Sequence, residues 1–134
     1  MNQNFTDLLN KSIAVDTETT SLKFSEAEVI EFGYCPVNDI DMKYSKLYAP
    51  RPGYTQITPK ISSITGITPR MVENCVDFSQ DNYDEDFCLY DYIVAHNAFY
   101  DTRVLKRYPD HILNRKEWIC TLNFAKKLYQ GDDS

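Results

Sequence analysis

The sequence predicts an α/β domain built on a mixed five-stranded sheet with flanking helices. Three observations carry that prediction. Ile13-Ala14-Val15 is a continuous apolar run, the pattern of a strand buried on both faces. Residues 28–48 place two strand-like runs around the turn pair Asn38-Asp39, which reads as an antiparallel hairpin. From Tyr92 onward, strand and helix patterns alternate, and such elements pack helices against a sheet.

The elements follow in order. The hairpin is expected to comprise Val29 to Val37, with Ile30, Phe32 and Tyr34 on one face, and Met42 to Tyr48. Thr58-Pro59 and Thr68-Pro69 each pair an N-cap residue with a proline at the first helical position, and Gly66 supplies a stop between them. Two short helical turns result. Glu73 to Asp91 holds seven acids and no Lys or Arg, which reads as a solvated loop. Tyr92 to Ala95 is a fourth strand. Asn97 is expected to cap a helix running to about Arg107, with Val104, Leu105 and Tyr108 as its buried stripe and Pro109 beyond its end. His111 falls between helix and strand and is expected at the surface. Trp118 to Cys120 is a fifth strand. Thr121 would cap a last helix carrying Leu122, Ala125 and Leu128, ended by Gly131.

A length of 134 residues fits one domain, 1–134, able to bury a core without staples. The balance is acidic, 14 Lys and Arg against 20 Asp and Glu, which disfavours a non-specific grip on nucleic acid. It leaves open a site where cations bridge carboxylates to phosphate. The four cysteines include no C-x-x-C pair, so a zinc or thioredoxin-like motif is unsupported. They read as reduced thiols of a cytoplasmic protein without a signal sequence. The apolar runs are too short to cross a bilayer, so no membrane partner is expected.

Chemistry concentrates in two stretches. In "AVDTETTSL", Asp16 and Glu18 sit two apart in an extended segment, so both side chains point to one side of the strand. Two like charges there raise each other's pKa unless a cation lies between them, and oxygen donors suit Mg²⁺ or Mn²⁺. In "VAHNAFYDTRVL", Asp101 lies one turn before the apolar stripe, at the edge of the face that packs on the sheet. His96 and Asn97 stand at the preceding strand end. Carboxylates near the C-terminal ends of strands mark the ligand side of open α/β sheets. Such acids holding two hard cations are equipped for phosphodiester cleavage.

These two stretches resemble the first and second motifs of the DEDD superfamily of 3′→5′ exonucleases. "VDTETTSL" matches the pattern D-x-E-T-T-x-L, and "AHNAFYD" carries the third acid. "VIEFGYCPV", "ISSITGITPRMV" and "WICTLNFAKKLY" extend the likeness over about residues 12–130. It is greatest with the branch of the DNA polymerase III proofreading subunit and RNase T, and there with the exodeoxyribonuclease X group. The resemblance implies a ribonuclease H-like fold, two Mg²⁺ or Mn²⁺ ions, and release of nucleoside 5′-monophosphates from nucleic-acid ends. It makes Asp16, Glu18 and Asp101 catalytic metal ligands. It places Thr17, Thr20, Leu22, Thr65, His96 and Asn97 around the substrate, with Leu22 packing on the terminal base. It implies a nucleic-acid partner, DNA before RNA, with single-stranded or duplex 3′ ends, a role in DNA repair or turnover, and a homodimer among its assemblies.

Two departures accompany the match. Thr65 stands where relatives often carry a histidine. The family's third motif, an H-x4-D downstream of the segment matching "WICTLNFAKKLY" that supplies the general base and a fourth acid, is not found before Ser134. The sequence therefore resembles an exonuclease domain incomplete at its C-terminus. Two alternatives stay open: a catalytically impaired module that binds nucleic-acid ends or a protein, and an exonuclease directed to RNA.

Overall fold

The computed structural model describes residues 3–122. Its centre is β1, Ser12–Thr19, whose Ile13 and Val15 are buried on one face. β2, Val29–Pro36, runs antiparallel to β1, with Ile13 opposite Pro36 and Thr17 opposite Phe32. β3, Tyr44–Leu47, completes the meander. On the other side of β1 lies β4, Tyr92–Ala95, parallel to it, and then β5, Glu117–Cys120, parallel to β4. The order β3-β2-β1-β4-β5 is the mixed five-stranded sheet that the sequence predicts.

Helices cover this sheet. Gln3–Asn10 forms α1, which lacks the Ser/Thr-Pro start seen further on and is not anticipated from the sequence. α2, Pro59–Thr65, begins as expected: the Thr58 hydroxyl accepts from the Ile61 N–H, and Gly66 closes the helix at φ 79°. α3, Pro69–Val72, is capped in the same way by Thr68. α5, Ala98–Leu105, lays Val104 and Leu105 on the core with Tyr108 just beyond, as the stripe predicts. The expected last helix lies mainly outside the described residues. No helix among the described residues is long and apolar enough to cross a membrane.

Three expectations need correction. Ile30 does not share a face with Phe32 and Tyr34. Between Glu18 and Thr19 the pairing with β2 skips a residue, a β-bulge that leaves Ile30 unmatched. Ile30 then packs with Ile57, Ile61, Ile67 and Val72 in a second core, while Phe32 stays in the main one.

The acidic segment 73–91 is not a plain solvated loop. It carries a 3₁₀ turn at Phe78–Gln80 and α4 at Asp84–Phe87, and it buries Phe78, Tyr83 and Phe87. Those rings stand 4.8–6.1 Å from the ring of Phe32. The apolar anchors are spaced widely enough for the acids between them to reach solvent.

His111 is buried, not superficial. Its ring stacks on Phe78 at 4.9 Å, and its Nδ1 accepts from the Leu113 N–H at the start of a 3₁₀ turn, Ile112–Arg115. Burial, with a smaller contribution from Arg115, pushes its pKa down to about 4.

Candidate active site

The site grows from the end of β1 and the first turn of α5. Along β1 the side chains alternate. Ile13, Val15 and Thr17 share the face that α5 covers, while Asp16 and Glu18 take the other. Asp16 is exposed and Glu18 half-buried. Glu18 pairs across the ladder with Glu31. Partial desolvation, then Asp16, Glu31 and Asp101, raise the Glu18 pKa.

Asp101 reaches β1 from the opposite side. It is buried, as expected of an acid at the edge of the packing face. The partner that such a charge requires is Thr17, whose Oγ1 donates to Asp101 Oδ1 at 2.8 Å. Burial raises the Asp101 pKa to about 6; the Thr17 hydrogen bond opposes this and the Asp16 charge adds to it. The three acids therefore lie within electrostatic reach, and burial and mutual repulsion hold Glu18 and Asp101 above their ordinary values. A set of oxygen donors in that condition has the chemistry that a hard divalent cation relieves. Among the described residues no three acids, histidines or cysteines are gathered into a ready ion cage.

The remaining candidates separate into two groups. Leu22, His96 and Asn97 are exposed, Leu22 on the loop that follows β1, and His96 and Asn97 just after β4, the strand beside β1. His96 Nδ1 meets Thr121 Oγ1 at 3.0 Å, which ties the end of β4 to the segment after β5. Asn97 occupies the helix N-cap, but its side chain makes no capping bond, contrary to expectation; its carbonyl instead accepts from the N–H groups of Tyr100 and Asp101. The side-chain amide is thus left facing solvent.

Thr20 and Thr65 belong to the scaffold. Thr20 is buried, and its hydroxyl accepts from the Glu28 N–H. Thr65 donates to the Ile61 carbonyl and accepts from the Ile67 N–H, closing the end of α2.

Two supports escape sequence reasoning. Tyr100 bonds its hydroxyl to the Ser21 carbonyl and the Thr19 hydroxyl, holding α5 against the loop after β1. Glu28 is fully buried and pairs with Arg51 at 2.8 Å and Arg107 at 3.2 Å. Arg107 also donates to the Ala27 carbonyl. This cluster fastens the 20–28 loop to the end of α5. Its residues lie far apart in the chain, so no local pattern announces it.

The family model described as Exonuclease (RNase T) matches residues 13–134. The chain belongs to this exonuclease family.

Among its relatives, exodeoxyribonuclease 10 of Escherichia coli K12 is 31% identical over 120 residues, which cover 87% of the chain and 48% of that protein. A PolC-type DNA polymerase III of Thermotoga petrophila is 33% identical over 122 residues, covering 87% of the chain and 9% of the polymerase. The chain thus spans about half, or less, of the curated relatives it matches. A solved structure of exonuclease X in complex with 5′-overhanging duplex DNA superposes with a TM-score of 0.67 at 31% identity, covering 90% of the chain and 65% of that structure. Product-bound exonuclease I, at 17% identity and a TM-score of 0.66, covers 88% of the chain and 31% of that structure and shares the fold. Together with the sheet, these likenesses show the exonuclease ribonuclease H-like fold and a nuclease-type domain.

Proposed function

We propose that this chain carries the first part of a two-metal 3′→5′ exonuclease centre acting on DNA ends. The observation that carries the reading is the hydrogen bond of Asp101, from α5, with Thr17, the β1 residue that stands between Asp16 and Glu18 in the chain. Family membership and the relation to exodeoxyribonuclease 10 support it. Two Mg²⁺ or Mn²⁺ ions, when bound, supply activation of the attacking water and stabilisation of the leaving oxygen. Asp16, Glu18 and Asp101 would hold them. Thr17 fixes the orientation of Asp101. Leu22 and Asn97 are exposed where they can position the terminal nucleotide, and His96 braces the adjoining strand end.

The H-x4-D spacing from His96 to Asp101 already belongs to the second motif, and the family's third motif is not among the 134 residues. A four-acid centre needs a carboxylate and a base from outside them. General-base catalysis contributes roughly 10²–10⁴-fold, so hydrolysis by these residues alone is expected to be slow by about that factor.

The test is release of nucleoside 5′-monophosphates from 3′-labelled single-stranded DNA with Mn²⁺. Product release by the parent chain that disappears in Asp16→Ala supports the reading. Equal release by both would remove the assigned site. A ribonucleotide strand of the same sequence, run beside it, decides the sugar preference.

A further inference from the structure

We propose that Phe24, Phe99 and Arg103 form a stacking platform for an unpaired base of the nucleic-acid strand whose end enters the carboxylate site. The inference rests on the nuclease reading of that site and deepens it by naming what holds the strand.

Phe32, Phe78, Phe87 and Tyr48 are almost wholly buried. Phe99 is 58% exposed and Phe24 is 37% exposed, yet the two rings meet edge-to-face at 6.0 Å. Neither belongs to a core cluster. The Arg103 guanidinium lies over the Phe99 ring at 3.4 Å and 5.8 Å from that of Phe24, and it donates to the Phe99 carbonyl at 3.0 Å. Contiguous exposed apolar surface rimmed by charge marks a binding surface. Flat aromatic and guanidinium faces accept any base, which suits a strand held without regard to sequence.

Charge favours the same occupant. The chain is acidic overall, but Lys23, Arg103 and Lys106 pair with no carboxylate among the described residues. Phe99, Arg103 and Lys106 follow one another at i, i+4 and i+7, along the outer side of α5. Lys23 and Phe24 lie on the facing loop. An aromatic pair with basic groups along its rim matches a base flanked by phosphates better than it matches another acidic surface.

Position links the platform to the chemistry. Phe99 stands two residues before Asp101 on α5. Phe24 lies in the loop that follows Asp16 and Glu18 on β1. Tyr100 bonds that loop to the helix through the Ser21 carbonyl, so platform and acids hang from the same two elements.

The experiment titrates the 134-residue chain, with Ca²⁺ in place of Mg²⁺ or Mn²⁺ so that the acids carry a cation while turnover is suppressed, against a single-stranded oligonucleotide carrying 2-aminopurine near its 3′ end. The parent should quench the fluorescence as the base stacks. Phe99→Leu keeps an exposed apolar side chain without a π face, and should raise Kd about fivefold or more. Phe99→Tyr should restore Kd to near the parent value. Equal binding and quenching by parent, Leu and Tyr variants would overturn the platform while leaving the nuclease reading intact. Absence of binding by the parent, together with absence of hydrolysis under Mn²⁺, would overturn both. Binding that is lost in Leu and Tyr variants alike would also overturn it, since stacking predicts rescue by tyrosine.

Discussion

Asp101 and His111 are both buried and both ionisable, but they answer to different demands. Asp101 has a hydroxyl donor in Thr17 and acidic neighbours in reach. His111 has one nitrogen satisfied and the other, Nε2, buried without a protein partner among the described residues. Protonating His111 therefore costs free energy that the unfolded chain does not pay. The folded pKa of about 4 lies below the ordinary value near 6.5. The folded state is at full stability above pH 6.5, loses stability as the pH falls through 6.5 toward 4, and loses nothing more from this group below that. The integrated loss is about 3 kcal/mol. Urea unfolding at a series of pH values should show that slope, and His111→Asn, which can still cap the 3₁₀ turn, should flatten it. The two residues also differ in legibility. An acid one turn before an apolar stripe announces a buried edge. A histidine in "YPDHILN" looks like loop, because the ring it packs on, Phe78, is more than thirty positions away.

At the scale of elements, capped starts are read well and interrupted ones badly. Thr58-Pro59 and Thr68-Pro69 specify α2 and α3 through bonds formed within a few residues. The bulge at Ile30 depends on what β1 presents opposite, so the strand's own alternation misassigns it. The 73–91 segment hides three buried rings among acids. The Glu28 cluster is the clearest case of an element held by distant partners. Its two arginines converge on one fully buried carboxylate, and Arg51 also stacks over Tyr54 and Tyr108, 4.3 Å from each ring centre. Removing the charge strands two guanidinium groups that are mostly covered. Glu28→Gln should destabilise the fold by about 3 kcal/mol, read as a shift in the urea midpoint. Because the cluster fastens the loop that carries Leu22 and Phe24, the variant should also weaken oligonucleotide binding. An unchanged midpoint would show that the cluster is incidental.

For the molecule as a whole, the mixed sheet was foreseeable from the hairpin and the later alternation of strands and helices. The strand order was not, since no spacing specifies which edges meet. The acids show the same division. Their positions after apolar strands point to a site, but only the fold brings α5 across β1 and sets Asp101 on Thr17. A net charge of −6 sharpens what the site must do. An acidic protein with an acid-rich centre repels a polyanion unless cations intervene. On the proposed reading, Asp16, Glu18 and Asp101 thus act together to hold divalent cations. The decisive measurement is calorimetric titration of the chain with Mn²⁺, beside Asp16→Ala and Asp101→Asn. The parent should bind Mn²⁺, and each variant should bind it at least about tenfold more weakly, the order of loss expected when a ligand or its orientation is removed. Binding of equal strength in all three proteins, or none in the parent, would contradict that reading.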